Sequence, residues 1–414
     1  MNFLFVHQNM PGQYRELVQW LAKAGGHRIY FLTQRQNAPK LPGVETRVYR
    51  PHHRPDAKAY GLSSVWEEAA GSGFGAVAAA QQIEKKEGFR PDIIIGHVGW
   101  GELSFFKQLW PDVPIIGYFE YYYNMTGGMV GFDPAEKITA HAPYLNHARN
   151  LVPLANIETV DLGHCPTYWQ RDRFPESFHR KLYVCHDGIR TDQLLPDPKV
   201  SLQLGRLAHP VTRDDEIVTY VARNLEKTRG FHTMMRALPR ILAERPKARV
   251  VIVGGDDVSY GKQSDHPGGL RGEMSAELGD RVDWERVHFV GKVPYPDFKK
   301  LVQISRCHIY LTMPFVLSWS LLEAMSMQAT IVASDVAPVR EAVTHGKTGL
   351  LVDFFDPEAL AAQVVEVLAN PQDHAHLGPA ARAHVVENYD FLTRCLPEHL
   401  ARINSLVPEG KRLS

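Results

Sequence analysis

The chain reads as two doubly wound α/β units in series, and three observations predict it. Short apolar runs bounded by turn residues alternate with amphipathic stretches along most of the sequence. The alternation stops at a proline-rich, weakly periodic segment, residues 195–209, and resumes near Glu216, so the linker is placed there. A length of 414 residues suits two or three ordinary domains with sizeable cores.

Residues 2–6 form the first apolar strand, and Asn9-Met10-Pro11-Gly12 makes a tight turn. Residues 13–24 follow as an amphipathic helix, with Leu17, Trp20, Leu21 and Ala24 at helical spacing and Gly25-Gly26 as its stop. Residues 28–33 are the next strand, and 92–96 and 115–119 have the short, turn-bounded character of buried parallel strands. In the second series, strands fall at 217–222, 249–253, 287–290, 307–311 and 330–334. A helix spans 230–244, and another opens near Ser320 with Glu323 in its first turn. The tail is helical, at 357–369, 375–388 and 392–406.

The 46 basic and 46 acidic side chains cancel, so no strong field argues for nucleic acid. Four cysteines without C-x-x-C spacing read as reduced thiols. The N-terminus passes directly into a strand, and no run approaches the ~18 apolar residues of a spanning helix. A soluble cytoplasmic protein is the expectation. Residues 28–58 are locally basic, which suits either a solvated face or peripheral contact with anionic lipid at the inner face of the membrane. None of the 20 histidines falls in a strong ligand spacing, and no metal site is expected.

Most of the chemistry is concentrated in residues 312–356. A strand, a loop and a helix place backbone N–H groups and a positive dipole end above the sheet, where a diphosphate fits. Glu323 either grips a neutral hydroxyl pair such as a ribose or only offsets the dipole. This order of features resembles the donor half of the retaining glycosyltransferases of family 4. Leu321-Leu322-Glu323-Ala324-Met325 matches the second glutamate of the family's E-x7-E pattern, and Ser334-Asp335 and 346–352 match its later strand ends. Phe315 stands in place of the first glutamate.

The resemblance implies the GT-B fold, two Rossmann-like domains facing across a cleft with the last helix crossing back. The domains would be 1–194, completed by 390–414, and 210–389. Arg223 and Arg229 would bind the diphosphate, with Lys227 as a competing second cation. Gly254 and Gly255 would let the donor lie across a strand end, and Lys292 and Val293 would meet the nucleobase. Ser318, Trp319 and Ser320 would offer amides to the distal phosphate, unless Trp319 is a buried anchor. From the N-terminal half, Gly12 would approach the donor and Glu120 would stand where relatives carry a functional histidine. Tyr121 and Tyr122 would face the acceptor, with His97 and Glu102 as secondary candidates. Phe315 admits three outcomes: a donor sugar deoxygenated at that point, a substitute such as Asp256 or Asp257, or a catalytically silent protein. The implied activity is metal-independent, retaining transfer from a nucleotide-diphosphate sugar, with no resident cofactor. The acceptor would be a surface glycan or lipid-linked sugar. The alternative is a non-catalytic subunit that positions a partner transferase.

Overall fold

The computed structural model describes residues 1–205, 207 and 209–413. Arg206 and Ala208, in the expected linker, and Ser414, at the end of the tail, lie outside the described residues. The chain forms two compact units, Met1–Gly188 with Phe391–Ser414, and Ile189–Asp390.

The first unit carries a parallel sheet of β1 (Asn2–Val6), β2 (Arg28–Thr33), β3 (Val44–Val48), β4 (Ile93–His97), β5 (Ile115–Tyr118), β6 (Leu162–Cys165) and β7 (Leu182–Val184). Their order is β3-β2-β1-β4-β5-β6-β7. Successive strand side chains point to opposite faces, and β1 shows the consequence. Leu4 and Val6 join Ile83 of the long helix Gly61–Glu87 in one core. Phe3 and Phe5 join Leu17 and Leu21 of helix Arg15–Ala24, and Ile403 of helix Leu396–Leu406, in the other. Each such aromatic, fully buried, contributes roughly 1.5–3 kcal/mol.

The helix Gly61–Glu87 is unusual in its glycines, which cost helix stability wherever they are not needed. Here they are needed. A Cβ on Gly71 would lie 2.1 Å from His53 O, and one on Gly75 2.2 Å from Arg50 O. The helix thus rides directly on the backbone of residues 50–53, and the His52 amide donates to Gly71 O at 2.9 Å.

In the second unit, β8 (Ser201–Leu202) and β9 (Val211–Thr212) form a small antiparallel pair. The main sheet comprises β10 (Ile217–Asn224), β11 (Arg249–Gly255), β12 (Val287–Gly291), β13 (Cys307–Tyr310), β14 (Ile331–Ser334) and β15 (Leu350–Val352), all parallel, in the order β12-β11-β10-β13-β14-β15. The segment 195–209 is therefore not a free linker. Val200 and Leu204 are buried with Ile217, Val251 and Ile304 in this unit, anchors too sparse to show as periodicity.

In both sheets the strand order reverses beside the first strand, between β1 and β4 and between β10 and β13. Such switch points open a crevice beyond the carboxyl ends of the strands. Among the described residues no helix is long and apolar enough to cross a membrane. The basic stretch is partly spent internally. Arg28 donates to Glu87 O, Arg35 to Met10 O, and Arg47 pairs with Glu45 and Glu87.

Candidate functional site

At the second unit's switch point, β10 delivers Arg223 and Asn224, followed by a 3₁₀ turn Lys227–Arg229 and the helix Phe231–Glu244. Gly230 makes the turn at φ +65°, and a Cβ there would lie 2.5 Å from Leu311 Cβ. The turn is thereby pressed onto the end of β13. Arg229 Nη1 donates to Thr312 Oγ1 at 2.9 Å, and its guanidinium lies 5.7 Å from the Tyr260 ring centroid. Thr312 is locked in turn by Ser334, which donates to Thr312 O at 2.9 Å and accepts from its amide at 3.0 Å. Arg223 and Lys227 are exposed.

The helix expected near Ser320 spans Trp319–Ser326, with Ser318 as its N-cap. Glu323 therefore lies beyond the first turn, where the helix dipole has little hold on it, and the dipole reading loses its basis. Its Oε1 accepts from Tyr295 Oη at 2.7 Å. Of the three expected amides, that of Ser318 is already committed to Tyr310 Oη at 3.1 Å. The Ser320 amide bonds the capping hydroxyl loosely, at 3.4 Å. Trp319 is 37% exposed, so it is not a buried anchor.

The glycines at the end of β11 have different tasks. A Cβ on Gly254 would strike Leu225 Cδ2 at 2.6 Å, a matter of packing. One on Gly255 would strike Lys292 Cε at 2.4 Å and Asn224 Oδ1 at 2.8 Å, so this glycine makes room for the lysine stem. Lys292 Nζ pairs with Asp257 at 3.1 Å, and Asp256 with Arg271 at 2.9 Å. Val293 packs against the core patch around Val200 and Ile217. Phe315 is buried against Tyr260, ring centroids 4.9 Å apart.

Tyr260, Tyr295, Thr312 and Glu226 escaped the sequence reading. The buried Glu226 carboxylate accepts from the amides of Tyr260 and Gly261, at 2.9 and 2.7 Å, and so fixes the Tyr260 loop. A tyrosine in the glycine- and serine-rich stretch after β11 was the one available signal.

At the first unit's switch point a second polar network assembles. Gln13 Nε2 donates to Glu120 Oε1 at 3.1 Å, while its Oε1 accepts from His7 Nε2 at 2.7 Å. Asn9 donates to His7 Nδ1, so the ring is neutral with its proton on Nε2, and burial pushes its pKa down to about 3. His97, buried, stacks on Trp100 at 4.1 Å and sets Nε2 3.5 Å from Glu120 Oε2. Gln170 donates to Glu120 O at 2.7 Å. Gly12, at φ +52°, is a glycine because a Cβ would lie 2.6 Å from His7 Nε2. The Tyr121 hydroxyl accepts from the Met129 amide at 3.2 Å, and Tyr122 packs on Phe174 at 5.4 Å. In the same unit Glu102 lies fully buried and accepts from Tyr49 Oη at 2.7 Å, with its pKa pushed up to about 7 by burial.

Two Rossmann-like parallel sheets, each with a polar cluster at its switch point, together with a C-terminal segment that returns to the first unit, define a protein of the GT-B class. Sucrose-phosphate synthase from Thermosynechococcus elongatus superposes over 97% of this chain and 98% of its own, with a TM-score of 0.69 at 18% identity. Anabaena HepE in complex with UDP superposes over 98% and 100%, with a TM-score of 0.67 at 14% identity. Residues 25–194 match the glycosyl transferase family 4 group, and residues 206–384 match glycosyl transferases group 1. The chain belongs to glycosyltransferase family 4. It is 27% identical to a D-inositol 3-phosphate glycosyltransferase of Thermobispora bispora over 61% of this chain and 56% of that one. It is also 27% identical to a GDP-mannose-dependent phosphatidylinositol monomannoside mannosyltransferase of Mycolicibacterium smegmatis, over 55% and 58%. The chain thus spans a little over half the length of these curated relatives.

Proposed function

We propose that this protein is a retaining glycosyltransferase that takes a sugar from a nucleotide-diphosphate donor bound in the second unit. The observation that carries the reading is the meeting of Arg229 and the N-cap Ser318 of helix Trp319–Ser326 at the Tyr310 hydroxyl, with the carboxylate of Glu323 further along that helix. Arg229, with Arg223 beside it, stabilises charge developing on the leaving diphosphate, together with the amides that head the helix. This cationic arrangement takes the part of a divalent metal, so transfer proceeds without one. Glu323, steadied by Tyr295, accepts from the ribose hydroxyls. In the first unit, Glu120 is held by Gln13 for the acceptor side. The acceptor is a glycan or lipid-linked sugar, a reading supported by a relative named for a phosphatidylinositol monomannoside acceptor.

A donor screen read by product mass, with and without chelator, tests this. Transfer from a nucleotide sugar unaffected by chelator is expected, with the donor's anomeric configuration kept in the product. Activity lost to chelator and restored by magnesium or manganese would overturn the roles given to the arginines. Phe315 favours a second reading, a subunit that positions a partner transferase, and turnover by the isolated chain excludes it.

A further inference from the structure

Resting on the donor reading above, we infer that the sugar carried by this donor is a deoxysugar, recognised by an aromatic wall of Phe315 and Tyr260. Arg229 and the helix start fix the diphosphate, and Glu323 takes the ribose on the helix side. The group on the distal phosphate then lies over the loop that joins β13 to the helix, and Phe315 occupies the middle of that loop. The wall is continuous with the cation: Phe315 is 4.9 Å from Tyr260, and Tyr260 is 5.7 Å from the Arg229 guanidinium. Tyr260 is 45% exposed and offers its ring to a ligand, while Glu226 holds its backbone in place before anything binds.

The acids of the neighbouring loops already hold partners. Glu226 is buried and bonded to two amides, Asp256 is paired with Arg271, and Asp257 with Lys292. A sugar hydroxyl pressed against these rings loses its water, and neither the Phe315 ring nor the face of Tyr260 returns a comparable hydrogen bond. A methylene or methyl at the same place loses nothing and packs on the rings. The wall therefore selects by what the sugar lacks.

Calorimetric titration of the intact protein tests this without need of the acceptor. The probes are UDP- and GDP-linked glucose and mannose, each beside its 3-, 4- and 6-deoxy counterpart, with free UDP and GDP as reference. One deoxy counterpart is expected to bind about 10- to 100-fold more tightly than its parent. Phe315→Glu should reduce or reverse that ratio, and Phe315→Leu, which keeps the wall apolar, should retain it. The wild-type ratio decides the matter even where Phe315→Glu fails to fold. Parents that bind as well as every deoxy counterpart, while a free nucleoside diphosphate binds, would overturn the deoxysugar assignment and leave the donor site standing. Absence of binding by either free nucleoside diphosphate would overturn both.

Discussion

Glu323 gains its meaning from its position in the helix. Five residues past the cap, it contributes little to the dipole, and its bond to Tyr295 holds it at the rim of the site. Glu323→Gln keeps an acceptor for Tyr295 but leaves only one oxygen to share with a ribose. It is expected to weaken nucleoside diphosphate binding about tenfold, or ~1.4 kcal/mol, with an unchanged melting temperature. The two arginines differ in the same pair of measurements. Arg223 is exposed, so Arg223→Ala should lower nucleotide affinity by ~1.5–3 kcal/mol and leave stability within ~0.5 kcal/mol. Arg229 braces Thr312 and Tyr260, so Arg229→Ala should lower affinity and melting temperature together. Equal and negligible losses of affinity in both variants would remove the diphosphate from this place.

Among the elements, the turn Lys227–Arg229 and the end of β11 show how close approach dictates glycine. Gly230→Ala meets both a left-handed backbone and Leu311 Cβ, and should destabilise the second unit by ~1–3 kcal/mol in thermal melts. Gly255→Ala meets mainly the flexible end of Lys292 and should cost less, a ranking that reversed melts would refute. The same physics decided what could be read from the sequence. Strands such as β2 and helix Pro357–Ala369 were legible to the residue, because apolar runs mark them. The helix Gly61–Glu87 was not, because its glycines serve contact with residues 50–53 and dilute the helical pattern. The helix Ala142–Thr159, with Pro153 inside it, and the short strands β3, β6 and β7 were missed for similar lack of local signal. In the site, the cations, glycines and Glu323 were visible as residue types at strand ends. Tyr260, Tyr295 and Glu226 were invisible because loops far apart in sequence bring them in.

At the scale of the whole molecule, stability should pass through a maximum with pH. Glu102 has its pKa raised from an ordinary 4.5 to about 7, so the folded state prefers the protonated form. That contribution is complete below pH 4.5 and is lost as pH rises through 7, on the order of 3 kcal/mol. His7 and His186, each lowered from 6.5 to about 3 by burial, act oppositely: their contribution is complete above pH 6.5 and lost as pH falls toward 3. Glu102→Gln should flatten the alkaline side of the profile and leave the acid side in place, as melts from pH 4 to 8 would register. A wild-type profile level from pH 5 to 8 would show that Glu102 does not ionise as its burial requires. The central claim is that one unit of this molecule holds a nucleoside diphosphate between Arg229 and Glu323. Calorimetric titration of UDP and GDP into the wild-type chain and into Glu323→Gln, in the presence of chelator, tests it most directly. One nucleotide should bind the wild type, and the variant should bind it about tenfold more weakly at an unchanged melting temperature. Binding of neither nucleotide to the wild type, or equal affinity in both proteins, would contradict it.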